Sequence, residues 1–131
     1  MDTQPDAAQS GKKFILVADD TALLARVLAN KLTQAGYEVV IAGNGVEVLA
    51  EAIKRKPDLL LLDLIMPIKD GFTTLKELRA DPNLADIKVI VTSDLSQADD
   101  MQKVQALGVL GAFDKSNLQE IVDQVPHFLG A

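Results

Sequence analysis

Short unbroken apolar runs alternate along this chain with longer stretches whose apolar residues recur three and four positions apart. The runs read as parallel strands buried on both faces, and the spaced stretches as helices that cover them. The first strand is predicted over Lys13 to Ala18. Its helix runs from Thr21 to Ala35, with Leu24, Val27, Leu28 and Leu32 on the core face and Gly36 as terminator. Tyr37 to Ala42 forms the second strand. Asn44 caps the second helix, Glu47 stands at the reciprocal capping-box position, and Val48, Leu49, Ala52 and Ile53 point inward before the helix ends ahead of Pro57.

The third strand is predicted over Asp58 to Leu62, followed by a loop with Pro67 and Asp70-Gly71. Leu75 and Leu78 mark the inner face of the third helix, which stops near Asp81-Pro82. Ile87 to Val91 is the fourth strand. Ser96, with Asp99 three residues on, caps a fourth helix whose core face is Ala98, Met101, Val104 and Leu107. A short fifth strand, Leu110 to Phe113, ends at Asp114-Lys115. Ser116 and Gln119 make another capping box, and the last helix buries Leu118, Ile121, Val122 and Val125 until Pro126 bends or ends it. Five such alternations predict an α/β domain, a doubly wound parallel sheet with helices on both faces.

At 131 residues the chain is long enough for one domain with a single proper core. Residues 1–11 are small and polar and read as a disordered N-terminal tail, leaving 12–131 as the folded unit. They hold no apolar segment of the signal-peptide kind. The longest apolar stretch, around Leu59 to Met66, is interrupted by Asp63 and too short to span a bilayer, so no membrane role is expected. A net charge of -6 argues against nucleic acid as a partner, which needs a basic face. The absence of cysteine excludes disulfides, thiolate metal sites and thiol catalysis, and a cytoplasmic location fits.

Chemistry concentrates where the apolar runs stop. Phe14 to Ala18 runs into Asp19-Asp20, and Leu59 to Leu62 runs into Asp63. Thr92 follows the fourth strand and Lys115 the fifth. In an open parallel sheet, ligands bind outside the carboxyl ends of the strands. These side chains should therefore converge on one pocket holding three carboxylates, a hydroxyl and an ammonium. Crowded carboxylates raise one another's pKa unless compensated, and a hard cation such as Mg²⁺ is the usual compensator. A carboxylate can attack phosphorus to give an aspartyl-phosphate, with metal and lysine neutralising the phosphoryl oxygens and a hydroxyl donating to another. Asp63, after the central strand and apart from the pair, is the natural nucleophile, and Asp19 and Asp20 the metal holders. Each piece alone has a plainer reading: a helix cap for Asp19-Asp20, a turn residue for Asp63, a strand end for Thr92, a surface cation for Lys115. Those readings would have to coincide at four strand ends. His127, the lone histidine, reads as a surface residue.

Asp19-Asp20, the run Asp63-Leu64-Ile65-Met66-Pro67-Ile68-Lys69-Asp70-Gly71, Thr92-Ser93 and Lys115 occur in the order and at the elements found in one family. From Lys12 to Leu129 the chain resembles the receiver domain of two-component response regulators, of the single-domain, chemotaxis-regulator-like kind. The resemblance implies a flavodoxin-like sheet in the order 2-1-3-4-5 flanked by five helices. It implies that Asp63 accepts a phosphoryl group from a histidine kinase or histidine phosphotransfer protein. By the same resemblance Asp20, Asp63 and the Ile65 backbone carbonyl ligate Mg²⁺, Asp19 acts mainly through water, and Thr92 and Lys115 bind phosphoryl oxygens.

Two positions depart from the family pattern. Ser116 replaces the proline that commonly follows the lysine in a cis peptide, so a trans bond is expected, with Ser116 capping the last helix. Ala112 occupies the position of the usual switch aromatic. Strand alternation sends the neighbouring Phe113 to the opposite face, into the core. The expected function is a phosphorylation-dependent switch without an output domain of its own, a monomer or weak dimer that signals by binding an output protein not identifiable from sequence, or that serves as a phosphoryl relay or sink. It would be no enzyme beyond its own phosphorylation and slow dephosphorylation. The face of the fourth helix, fifth strand and fifth helix would change on switching, and Leu23, outward on the first helix, is a candidate kinase contact. Two alternatives are a non-switching docking module and a Mg²⁺-dependent phosphoryl hydrolase of the haloacid dehalogenase type. The latter wants a second acid where Ile65 stands.

Overall fold

A computed structural model describes residues 11–93 and 99–130, and the side chains of 94–100 are not described. The expectations for the N-terminal tail, for Ser96 and Asp99 as a cap and for Ala98 fall outside the described residues or side chains. The elements are β1 (Phe14–Ala18), α1 (Ala22–Gln34), β2 (Glu38–Ala42), α2 (Gly45–Lys54), β3 (Leu59–Leu62), α3 (Gly71–Ala80), β4 (Val89–Ser93), α4 (Asp99–Ala106), β5 (Gly111–Asp114) and α5 (Leu118–Phe128). The strands form one parallel sheet in the order β2-β1-β3-β4-β5, as expected. Ala18 pairs with Ala42 and Leu62, and Ser93 with Asp114, so the residues that follow these strands share one edge.

Side chains alternate across the sheet and divide the core into two layers. Leu16, Ala18, Leu60, Leu62, Val89 and Val91 pack with Val48 and Ala52 of α2, Leu75 and Leu78 of α3, and Val104 of α4. Ile15, Val17, Leu59, Leu61 and Ile90 pack with Leu28 and Leu32 of α1 and Ile121, Val122 and Val125 of α5. Both faces of β1 and β3 are thus covered, which is why their sequences offer no polar position. Each fully buried leucine contributes about 1.5–3 kcal/mol of burial.

Local signals end the helices as the sequence suggests. Gly36 takes φ +102° after α1. Its N–H donates to the Thr33 carbonyl at 3.0 Å, and the Tyr37 N–H to Leu32 at 3.1 Å, the paired closure that favours glycine. Asn44 caps α2 by accepting the Glu47 N–H at 3.0 Å, and Glu47 reaches back to the Gly43 N–H at 2.7 Å. Arg79, at the end of α3, donates to the carbonyls of Leu107, Ala85 and Ile87 at 2.7 to 2.9 Å, tying the entry to β4 to the end of α4.

Several expectations need correction. Ile53 is 70% exposed and Val27 is exposed too, because α2 and α1 bury narrower stripes (Val48 and Ala52; Ala25, Leu28 and Leu32) than their apolar content suggests. β4 begins at Val89 rather than Ile87, since the Ile87 N–H still closes a turn on the Leu84 carbonyl at 3.2 Å. β5 starts one residue later than expected, with Leu110 exposed ahead of it. Ser116 is not the cap of α5. Its N–H is taken by Asp114 Oδ1 at 2.9 Å, and Asn117 caps instead by accepting the Glu120 N–H at 3.1 Å. Pro126 does not end α5, which continues to Phe128; the Leu129 N–H still bonds the Val125 carbonyl at 3.1 Å. The Lys115-Ser116 bond is trans, as expected. Phe113 lies on the α1/α5 side, edge-on to Phe128 at 5.9 Å, while Ala112 packs on the opposite side. Among the described residues no helix is long and apolar enough to cross a membrane.

Gly45 is where α2 meets the loop after β3. Its N–H donates to the Lys69 carbonyl at 2.9 Å. A Cβ there would lie 2.0 Å from Thr74 Oγ1 and 2.7 Å from the Lys69 carbonyl oxygen. Gly45→Ala should therefore lower stability by about 1–3 kcal/mol, the cost of overpacking. An unchanged urea midpoint would show that the two helices yield without cost.

Candidate functional site

Asp63 begins where β3 stops pairing. Its N–H donates to the Ala18 carbonyl at 2.9 Å, anchoring the turn to β1. The side chain is 1% exposed and well supplied with donors. Oδ1 accepts the Ile65 N–H at 3.1 Å and, more loosely, the Ser93 hydroxyl at 3.4 Å. Oδ2 accepts Lys115 Nζ at 2.8 Å. Lys115 also lies 3.6 Å from Asp19 Oδ1. Its backbone N–H bonds the Ser93 carbonyl at 3.2 Å, so β4 positions both the hydroxyl and the lysine.

Asp19 is buried after β1, its N–H on the Ala42 carbonyl at 3.0 Å and its Oδ1 accepting the Thr21 N–H at 2.8 Å. That bond shapes the entry to α1, for which Thr21 gives no side-chain cap. Asp20 is exposed. Asp19, Asp20 and Asp63 can each offer an oxygen within 4.8 Å of the others. Three carboxylates against the one Lys115 ammonium leave two negative charges (3 − 1), and the donors are all hard oxygens. Both facts fit a divalent cation of the Mg²⁺ type. Burial pushes the Asp19 carboxyl above its ordinary value of 3.8, the Thr21 N–H and Lys115 oppose the rise, and Asp63 and Asp20 reinforce it. Burial works against the Lys115 charge, but the bond and charge of Asp63, together with Asp19, win and raise its pKa.

The structure brings together Asp19, Asp20, Asp63 and Lys115, with Ile65 bonded to Asp63 through its N–H. Thr92 is corrected: the hydroxyl that reaches Asp63 belongs to Ser93, one residue on. Thr92 is buried within β4 opposite Phe113. β4 runs through Ser93, and alternation along the strand turns Thr92 and Ser93 to opposite sides of the sheet. Ile65 is 53% exposed and Leu23, in the first turn of α1, is 71% exposed, outward as expected.

A family model described as the response regulator receiver domain matches residues 15–126. Sporulation initiation phosphotransferase F of Bacillus subtilis is 34% identical over 117 residues, covering 88% of this chain and 92% of that protein. The structure of the phosphorylated cyanobacterial phytochrome response regulator RcpA superposes with TM-score 0.80 at 30% identity, covering 92% of this chain and 95% of the other. The Mn(2+)-bound form of response regulator Rcp1 gives TM-score 0.79 at 27% identity, covering 88% and 93%. Against the transcriptional regulator RpaA of Synechocystis, 40% identical over 86 residues and matching 66% of this chain, the chain spans 36% of the relative's length.

The raised pKa of Asp19 sets a pH dependence. An acid whose folded pKa is raised contributes its full share of stability below the unfolded value and loses it as pH rises through the folded one. In metal-free buffer Asp19→Asn should melt above the wild type at pH 7, with the gap closing as pH falls toward 3.8. Equal melting at pH 7 would mean that Lys115 and the Thr21 N–H fully offset the burial.

Proposed function

The chain belongs to the response regulator receiver domain family, and on that premise we propose that residues 12–131 act as a phosphoryl-accepting switch with Asp63 as the acceptor. One observation carries the reading: a nearly inaccessible carboxylate at the end of the central strand, met at once by an ammonium, a hydroxyl and a backbone N–H. The donor is a phosphohistidine on a histidine kinase or phosphotransfer protein. An O–P bond forms at Asp63 as the P–N bond to the donor imidazole breaks, and the imidazole leaves as the neutral ring after protonation. Lys115 and the Ser93 hydroxyl then turn from the carboxylate to the phosphoryl oxygens, Ser93 taking the role expected of Thr92. Asp20, Asp63 and the Ile65 carbonyl would hold Mg²⁺, with Asp19 acting through water. When bound, the ion neutralises charge on the transferring phosphoryl group. That one relative is a phosphorylated response regulator and another carries phosphotransferase in its name supports acceptance and relay.

Output follows as a population shift toward a surface that another protein binds better, or as onward relay. With Ala112 half-buried on the α4 side, there is no aromatic ring at that position to swing inward. Coupling then runs through the main chain beyond Ser93 into α4. Leu23 serves the docking of the donor. A hydrolase reading is disfavoured by the apolar, exposed Ile65 where the second acid would stand.

Acetyl phosphate with Mg²⁺ should add one phosphoryl group to the wild type and none to Asp63→Asn by intact mass. An acid-stable phosphoryl group at another residue would sink the assignment. Mg²⁺ alone should raise the melting temperature, by the equivalent of about 1.4 kcal/mol at ten times its dissociation constant. The rise should be smaller in Asp20→Asn. Equal responses would place the ion elsewhere.

A further inference from the structure

Helix α2 carries more apolar surface than the core takes up. Its buried side is Gly45, Val48 and Ala52, with Leu49 half-buried at the margin. Beyond Leu49 a second stripe faces water: Val46, Ala50 and Ile53, at the i, i+4, i+7 spacing that lines one helix face. Val46 is 49% and Ile53 70% exposed. Single exposed apolar residues need no explanation, but two large ones aligned on one helix with a small residue between them form a seam. Glu47 and Lys54, both exposed and seven residues apart, stand along one flank of it. Lys54 is held only loosely, 3.5 Å from Glu51 Oε2. Glu47 gives Oε1 to the Gly43 N–H at 2.7 Å, and a carboxylate has a second oxygen to offer.

This seam is its own complement. A two-fold axis lying across the helix sets a second α2 antiparallel to the first, and each residue then meets the partner residue at the inverted level on the same flank. Val46 comes opposite the partner's Ile53, and Ala50 meets the partner's Ala50 at the crossing, where a small side chain lets two helices approach closely. Glu47 stands level with the partner's Lys54. The symmetry repeats the apolar pair and the ion pair, so every exposed group of the seam finds a match. A parallel pairing would instead face Glu47 with the apolar flank at Leu49. An unrelated partner would account for the apolar residues but not for opposite charges spaced to meet their own inverted copy. We infer that α2 is the contact face of an isologous homodimer, with a second copy of this chain as the occupant. One helix pair buries less than the surface of a stable, specific interface, so the dimer is weak, with a dissociation constant on the order of 0.1–1 mM.

Sedimentation equilibrium on the full chain should show reversible self-association of the wild type. Ile53→Gln should raise the dissociation constant by about tenfold or more, since the dimer loses the isoleucine contact twice. Glu47→Lys and Lys54→Glu should each weaken association by about fivefold, because each sets like charges opposite one another. Mixed in equal amounts, those two variants should associate as the wild type does, each supplying the charge that the other lacks. The chain has no cysteine, so a single introduced one reports proximity. In a glutathione redox buffer Ala50→Cys should form a disulfide-linked dimer about tenfold faster than Ala80→Cys, an exposed site on α3. Ile53 and Ala50 are exposed, so these two variants keep the fold and carry the test even where loss of the Glu47 cap unsettles α2. A wild type that stays monomeric at millimolar concentration overturns the proposal. So does a dimer indifferent to Ile53→Gln, a mixture that associates no better than its components, or equal cross-linking at Ala50→Cys and Ala80→Cys. A dimer lost in Leu110→Gln but kept in Ile53→Gln would place the contact at the other edge of the sheet and overturn it as well.

Discussion

A carboxylate buried at the end of an apolar strand must be met by donors, and in this protein the compensation of Asp63 organises the rest. An isolated buried charge costs several kcal/mol. Lys115 at 2.8 Å, the Ile65 N–H at 3.1 Å and the more distant Ser93 hydroxyl answer it from three different segments. None of these partners is near in sequence to all the others. They meet because β3 lies between β1 and β4, with β5 beyond, and every strand points the same way. The sheet order is thus the structural basis of the site, and the site is what the sheet order is arranged to supply.

The loop from Asp63 to Asp70 carries the opposite kind of constraint. On one side it is clamped: Gly45 presses against it and Asp70 starts α3. On the other it presents Ile65 and Ile68 to solvent. Rigidity at Asp63 and exposure at the tip are compatible because the positive φ sits in one residue, Ile68. Arg79 performs a related task at the far end of the sheet, where its bonds to three carbonyls join the approach to β4 with the end of α4. α4 is thereby anchored at its C-terminal end.

The excess of acid over base at the pocket links structure to chemistry. Two uncompensated charges favour a divalent cation, while the buried position of Asp19 makes that carboxylate reluctant to ionise. The pocket therefore stores electrostatic repulsion that a bound cation would relieve.

Apolar runs and helical spacing made the α/β alternation legible, because strands covered on both faces leave no polar positions. The acidic residues at the strand ends and Lys115 were legible for the same reason: each interrupts or follows a run that burial demands. Resemblance supplied the strand order. What stayed hidden depends on shifts of a single residue or on packing at a distance. Ser93 rather than Thr92 reaches Asp63 because β4 runs on through Ser93 and neighbouring side chains of a strand face opposite sides. Asn117 replaces Ser116 as a cap because Asp114 captures the intervening N–H. Ile53 faces water because the width of a helix's buried stripe is set by what lies beneath it. The left-handed Ile68 has no local signature, since only the closure of the loop against Gly45 and Leu64 holds it there. Sequence by itself determined which residues could bear the chemistry; register and loop closure, which are properties of the packed sheet, decided which of them meet.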